Sequence, residues 1–333
     1  MRTLYETRNW RALVEQASTL TPAQLVEEAE VAFFYADAFR RVGETERALA
    51  LAQRIEPQVR RRGNRRLLLN VINLVGMSLF EAGRSQEAEE RFSELLEISN
   101  AWRDEEYAAR ACNNLGVLAN VRGRRELALT YYQRALASYH RLGYLRGLAQ
   151  THHNLGISYR DLGFDREADA HYQRAIRFAR AAQSEDVIAR AETERALLRA
   201  RSRDGSLAEA LAQRALERFE RIGDPLGRAE ALRALAAAAR ASKYNARAAD
   251  RLEEALTVAR AHSDPLLHAE VQRDRGLLLR DEGQLAAARE ALLESAEQFT
   301  LLGAEAEATA VRATADQLRP DAPSFGHSDG RGR

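Results

Sequence analysis

The chain has 333 residues, 45% of them hydrophobic, with 50 Lys+Arg against 49 Asp+Glu for a net charge of +1, and a single Cys. That apolar content excludes a wholly disordered chain, one Cys excludes an internal disulfide or a cysteine cage for a metal, and balanced, interleaved charge argues against a dedicated nucleic-acid binder. Apolar runs are short and broken by charges, and Met1-Arg2-Thr3-Leu4-Tyr5-Glu6 lacks the apolar stretch of a signal peptide, so a cytoplasmic protein with no membrane partner is expected. Lys243 is the only Lys, and this Arg and Ala bias fits a GC-rich bacterial genome.

In chain order, residues 1–23 contain Asn9-Trp10-Arg11-Ala12-Leu13, which reads as a lone N-terminal capping helix. From 24 to 303 a 40-residue period runs unbroken through seven units. One column is always Ala: Ala48, Ala88, Ala128, Ala168, Ala208, Ala248 and Ala288. Twelve positions earlier stands a column of small residues: Ala36, Gly76, Gly116, Gly156, Ala196, Ala236 and Gly276. Between them lies a turn column of Gly43, Gly83, Gly123, Gly163, Arg203, Lys243 and Gly283. Few Pro and β-branched residues, and apolar positions spaced as in Leu127, Ala128, Tyr131, Tyr132 and Ala135, make each unit two helices. In the third unit they are expected near 104–121 and 125–141. Asp224-Pro225, Asp264-Pro265 and Thr21-Pro22 mark helix starts; Gly63, Gly143, Gly223 and Gly303 mark ends. Pro57 is expected to kink or shorten the second helix of unit one. Residues 304–319 read as a C-terminal capping helix, and 320–333, rich in Gly, Pro and Ser, as a disordered tail.

One such pair cannot bury its own apolar faces, so neighbours must stack into an all-α solenoid. The run Leu115-Gly116…Gly123…Ala128…Tyr132…Ala135 resembles the signature of the tetratricopeptide repeat (TPR), here in a 40-residue form similar to the repeats of kinesin light chains, LGN-type adaptors and Rap-type regulators. The resemblance implies a right-handed superhelix whose concave side, lined by the first helices, binds an extended peptide.

The spacing i, i+3, i+7, i+10 along the first helices picks out the candidate peptide-binding residues. They are Asn73, Met77 and Phe80; Arg110, Asn113, Val117 and Asn120; Gln150, His153 and Arg160; then Arg233, Arg240, Arg273 and Arg280. The same stripe includes Ile157, Leu197, Ala237 and Leu277. The amides can pair with a peptide backbone, and Arg40, Arg160, Arg240 and Arg280 can fork onto carboxylates, so an acidic segment suits the groove. Glu230 precedes Arg233 by three, as Glu270 precedes Arg273, the spacing of on-helix ion pairs. Truncating Asn113 is expected to weaken partner binding with little change in melting.

Catalytic chemistry is not expected. No phosphate-cradling glycine loop, CxxC or HExxH is present. Neither a metal nor a cofactor is expected, His140, His152, His153 and His171 being read as structural or groove-lining and Cys112 as a buried filler. The function expected is a non-enzymatic scaffold for a protein or peptide partner. The alternative is a peptide- or effector-sensing regulator of a transcription or signalling partner. The fold also permits self-association.

Overall fold

The computed structural model describes residues 2–6, 9–262 and 264–318. Among them are seventeen α-helices, one 3-10 turn and no strand. After α1 (Arg2–Glu6) and α2 (Trp10–Ser18) the helices run in pairs: α3 (Ala29–Arg41) with α4 (Thr45–Arg62), α5 (Arg65–Glu81) with α6 (Ser85–Trp102), α7 (Glu105–Val121) with α8 (Arg125–Leu142), and α9 (Leu145–Asp161) with α10 (Asp165–Ala181). The series continues as α11 (Glu185–Arg201) with α12 (Gly205–Ile222), α13 (Pro225–Ala241) with α14 (Asn245–Ala261), and α15 (Pro265–Asp281) with α16 (Leu285–Leu301), followed by α17 (Glu305–Asp316). Each helix packs on the next, giving a right-handed superhelical solenoid. The expected tail, 320–333, lies outside the described residues.

The repeating columns perform the packing. Every Ala of the all-Ala column is fully buried. Gly116 leaves the space in which the Tyr132 ring sits: a Cβ there would lie 2.5 Å from the ring. The helix starts are chemically defined, since Asn64, Asp104, Asp224 and Asp264 each accept a hydrogen bond from the backbone N–H three residues on. Both turn columns hold left-handed backbone throughout the described repeats. The places without Gly obey the same rule: Arg103, Gln183, Arg203 and Lys243 have φ of 56, 50, 61 and 63°.

Two local expectations change. Thr21-Pro22 does not open α3. Thr21 and Gln24 form a reciprocal cap (2.9 and 3.4 Å) around a single 3-10 turn, and α3 begins at Ala29 after an extended Glu28. Nor does Pro57 shorten α4, which runs on to Arg62. Its ring lies on the exposed face, where water can serve the carbonyl that loses its partner.

The superhelix also touches itself. The turn at Gly43 lies against the His262 carbonyl, with 3.7 Å from an ideal Cβ position, and the turn at Gly123 against the Ala306 methyl (3.8 Å). Residues 83–87 and 300–303 line one cleft of about 360 Å3. The last repeats therefore sit over the turns of the first three, and the concave side becomes a lumen.

Candidate functional site

First helices pack on first helices of neighbouring pairs (α5 with α7, α7 with α9, α11 with α13), which puts them on the concave side. The period stacks their side chains into columns. One is an apolar rail of Met77, Val117, Ile157, Leu197, Ala237 and Leu277, all half-buried. Beside it runs a ladder in which a residue meets the residue 41 positions later on the next first helix.

In repeats two to four one row of rungs is amide, preceded by an ionic rung from Arg40 to Glu81 (2.6 Å). Asn114 Nδ2 donates to Asn73 Oδ1 (2.9 Å) and Asn154 Nδ2 to Asn113 Oδ1 (3.1 Å), which also accepts from Thr151 Oγ1 (3.1 Å). The amide N–H groups of Asn73 and Asn113 have only weak partners, the Met77 sulfur at 3.7 Å and Asn114 Oδ1 at 3.5 Å. These donors are available to a ligand carbonyl. Arg110 donates to Glu106 (2.6 Å) and lies over the rings of Tyr107 and Tyr144. Burial pushes the His153 imidazole down to about 4, so it is neutral at pH 7, and its buried Nε2 has no partner.

Midway, Arg160 bridges Asp161 (2.8 Å) and Glu194. Burial opposes charge on Glu194, but Arg160 outweighs it and keeps the carboxyl below its ordinary range. Tyr172 donates its hydroxyl to the same carboxylate (3.4 Å). Toward the C-terminal end the rungs are ionic. Arg233 pairs with Glu270 (3.0 Å) and Asp274 (3.4 Å), and Arg240 with Asp281 (2.8 Å). Glu230 has no ion pair among the described residues, and burial pushes its carboxyl up to about 7. Arg190 is 50% exposed, with Asp224 at 3.8 Å as its nearest carboxylate.

Of the residues singled out by spacing, Asn73, Met77, Phe80, Arg110, Asn113, Val117, His153, Arg160, Arg240, Arg273 and Arg280 are half-buried along this surface and Gln150 is exposed on it. Two differ from the expected exposure. Asn120, 8% exposed, is held by Asp161 and Ser158, and Arg233, 4% exposed, by its two acids. The Arg column is not a row of free forks. Arg40 carries Asp37 and Glu81, Arg160 carries Asp161 and Glu194, and Arg240 and Arg280 share Asp281. The expected on-helix pairs are replaced by inter-repeat ones, because Glu270 reaches back to Arg233 and leaves Glu230 unpaired. The lumen acid Glu194 was not picked out by spacing, whereas Glu230 stood on the stripe and was read as the on-helix partner of Arg233; comparing each position with the one 41 later reveals the rungs in the sequence.

The chemistry outside the lumen is sparse. Among the described residues no three His, Cys, Asp or Glu converge on a metal position, and no helix is long and apolar enough to cross a membrane. His152 and His171 approach to 3.0 Å between their Nδ1 atoms and stack on Phe178 and Tyr159. Cys112 is buried.

Residues 107–181 match the tetratricopeptide repeat. No curated protein matches the sequence. Among solved structures, a Rap protein complexed with Competence and Sporulation Factor is similar at 16% identity, with a TM-score of 0.64, over 95% of this chain and 96% of that one. The APC/C hetero-tetramer Cut9-Hcn1 is similar at 17% identity and a TM-score of 0.61, over 93% of this chain and 54% of the other. The Rap conjugation gene regulator of the plasmid pLS20, in complex with the Phr* peptide, is similar at 16% identity and a TM-score of 0.56, over 78% and 73%. These likenesses carry the fold, a solenoid of tetratricopeptide-repeat type, and the matched segment lies within it.

Proposed function

We propose that this chain is a non-catalytic binding protein whose lumen takes up an extended peptide segment of a partner. The observation that carries the reading is the apolar rail of Met77, Val117, Ile157, Leu197, Ala237 and Leu277 beside a ladder with underused amide donors at Asn73 and Asn113. An extended strand offers apolar side chains to such a rail and carbonyls to such donors. The acidic character of the ligand now rests chiefly on Arg190, the lumen guanidinium with the weakest ion pair, since the Arg40, Arg160, Arg240 and Arg280 column already has carboxylates. Two of the similar structures are complexes, one with Competence and Sporulation Factor and one with the Phr* peptide, which is in keeping with a peptide ligand here.

The contacts between successive coils favour a second reading, a sensor: a ligand that widened the lumen would break the contacts at Gly43 and Gly123 and alter the outer surface offered to a regulatory partner. Screening a peptide library against the full chain and against Ile157→Glu tests the first reading. Binders should be lost when a charge enters the rail. Binders indifferent to Ile157→Glu would sink the lumen as the site. Small-angle scattering with a bound peptide separates the two readings, because only the sensor changes its profile.

A further inference from the structure

A recess independent of the lumen opens between α10 and α12, with α11 as its floor. Ile176, Arg177, Arg180, Glu192, Arg195 and Arg214 line it around a volume of about 280 Å3. The ion pairs beneath it are one-sided. Arg214 gives Glu192 its Nε (3.2 Å) and Arg195 gives Asp169 its Nε (2.7 Å), so the terminal Nη groups of both have no hydrogen bond among the described residues. Glu192 is 2% exposed and also holds Arg218 Nε (3.2 Å), which fixes it as an anchor. Arg177 and Arg180 are exposed, with no ion pair among the described residues. Four guanidiniums thus converge on one recess in a chain whose net charge is only +1.

We propose that this recess binds a phosphoryl group. A carboxylate offers two oxygens and one charge, enough for one fork. A phosphoryl group offers three acceptor oxygens and close to two charges, which suits several Nη groups arriving from three helices. The buried Glu192 and half-buried Asp169 act behind the site: by holding Arg214 and Arg195 through Nε they aim the forks and lower the ordering cost of binding. The group belongs either to a free phosphate compound or to a phosphorylated side chain of a partner.

Calorimetric titration of the full chain in phosphate-free buffer distinguishes these sources with two probes, inorganic pyrophosphate and a synthetic phosphoserine peptide. Saturable one-to-one binding of at least one probe is expected, weakened at least tenfold by Arg177→Ala/Arg180→Ala and less than twofold by Arg54→Ala/Arg61→Ala, two exposed residues of α4. All four side chains are exposed, so both variants should keep their helical circular dichroism. Pyrophosphate binding alone identifies a free phosphate compound, and tighter binding of the peptide identifies a phosphorylated partner; either upholds the site. Absence of saturable binding by both probes, binding that survives Arg177→Ala/Arg180→Ala, or equal loss in the two double variants overturns it.

Discussion

Repeats two to four and repeats five to seven build one backbone geometry from different chemistry. In the first group a ring fills the space beside each small residue, Phe92 at Gly76, Tyr132 at Gly116 and Tyr172 at Gly156. In the second, the corresponding places hold Ala196 and Ala212, Ala236 and Leu252, Gly276 and Leu292. The ladder divides in the same way, amide on amide at Asn73 and Asn113, guanidinium on carboxylate at Arg233 and Arg240. The spacing of 41 is a property of the backbone, and either chemistry can occupy it. What differs is the penalty for breaking a rung. An amide left alone near solvent loses a neutral hydrogen bond, whereas a buried ion left alone keeps its desolvation cost.

The largest effect is therefore expected at Arg233. Arg233→Ala leaves Glu270 without an ion pair among the described residues and Asp274 with Arg273 alone, and should cost about 3 kcal/mol in urea unfolding. Gly116→Ala forces the Tyr132 ring to move and should cost about 1–3 kcal/mol by the same measurement. Asn113→Ala removes two neutral bonds, each worth about 0.5–1.5 kcal/mol. Together they amount to about 1–3 kcal/mol in unfolding, more than the little change in melting expected from the sequence, alongside any loss of ligand. Equal costs at Arg233 and Asn113 would erase the distinction between the two ends.

Acid sharpens the same comparison, because three histidines of repeat four titrate below their ordinary 6.5. Burial holds His152 at about 3, and His171 and His153 at about 4. The folded chain takes up these protons less readily than the unfolded chain, so their stabilisation is whole above 6.5 and is lost as pH falls toward 3–4. Glu230 works in the opposite sense: raised from 4.5 to about 7, it favours the fold at low pH and loses that contribution as pH rises through 7. The melting temperature should fall from pH 7 to pH 5, less steeply in His171→Asn and more steeply in Glu230→Gln. A melting temperature flat over that interval would refute the neutral His cluster. The smallest expected effect is at Lys243, whose left-handed backbone strains an L-residue. Lys243→Gly should gain about 0.5–1 kcal/mol, the relieved strain exceeding the added freedom of the unfolded chain.

The solenoid was legible because its period repeats a backbone requirement: small residues where helices touch, left-handed turns, and carboxylate or amide caps. Even the turns at Arg203 and Lys243 keep their conformation, since position in the repeat outweighs residue preference there. The lumen was only half legible. A helical stripe places a residue on the concave side but not its partner. Arg233 and Asn120 looked exposed in their own helices, and they are covered by acids or hydroxyls of the next repeat, Glu270, Asp274, Asp161 and Ser158. The coil-to-coil contacts left no sequence signal, because they join backbone and a methyl group rather than paired side chains.

Those contacts have a kinetic consequence. A chain whose early turns are roofed by its final repeats presents no open side along which a ligand can be laid down sideways. A captured segment must either thread in from an end or wait for the spiral to spring apart, so association should be gated by that opening, and a long residence time follows from the same closure.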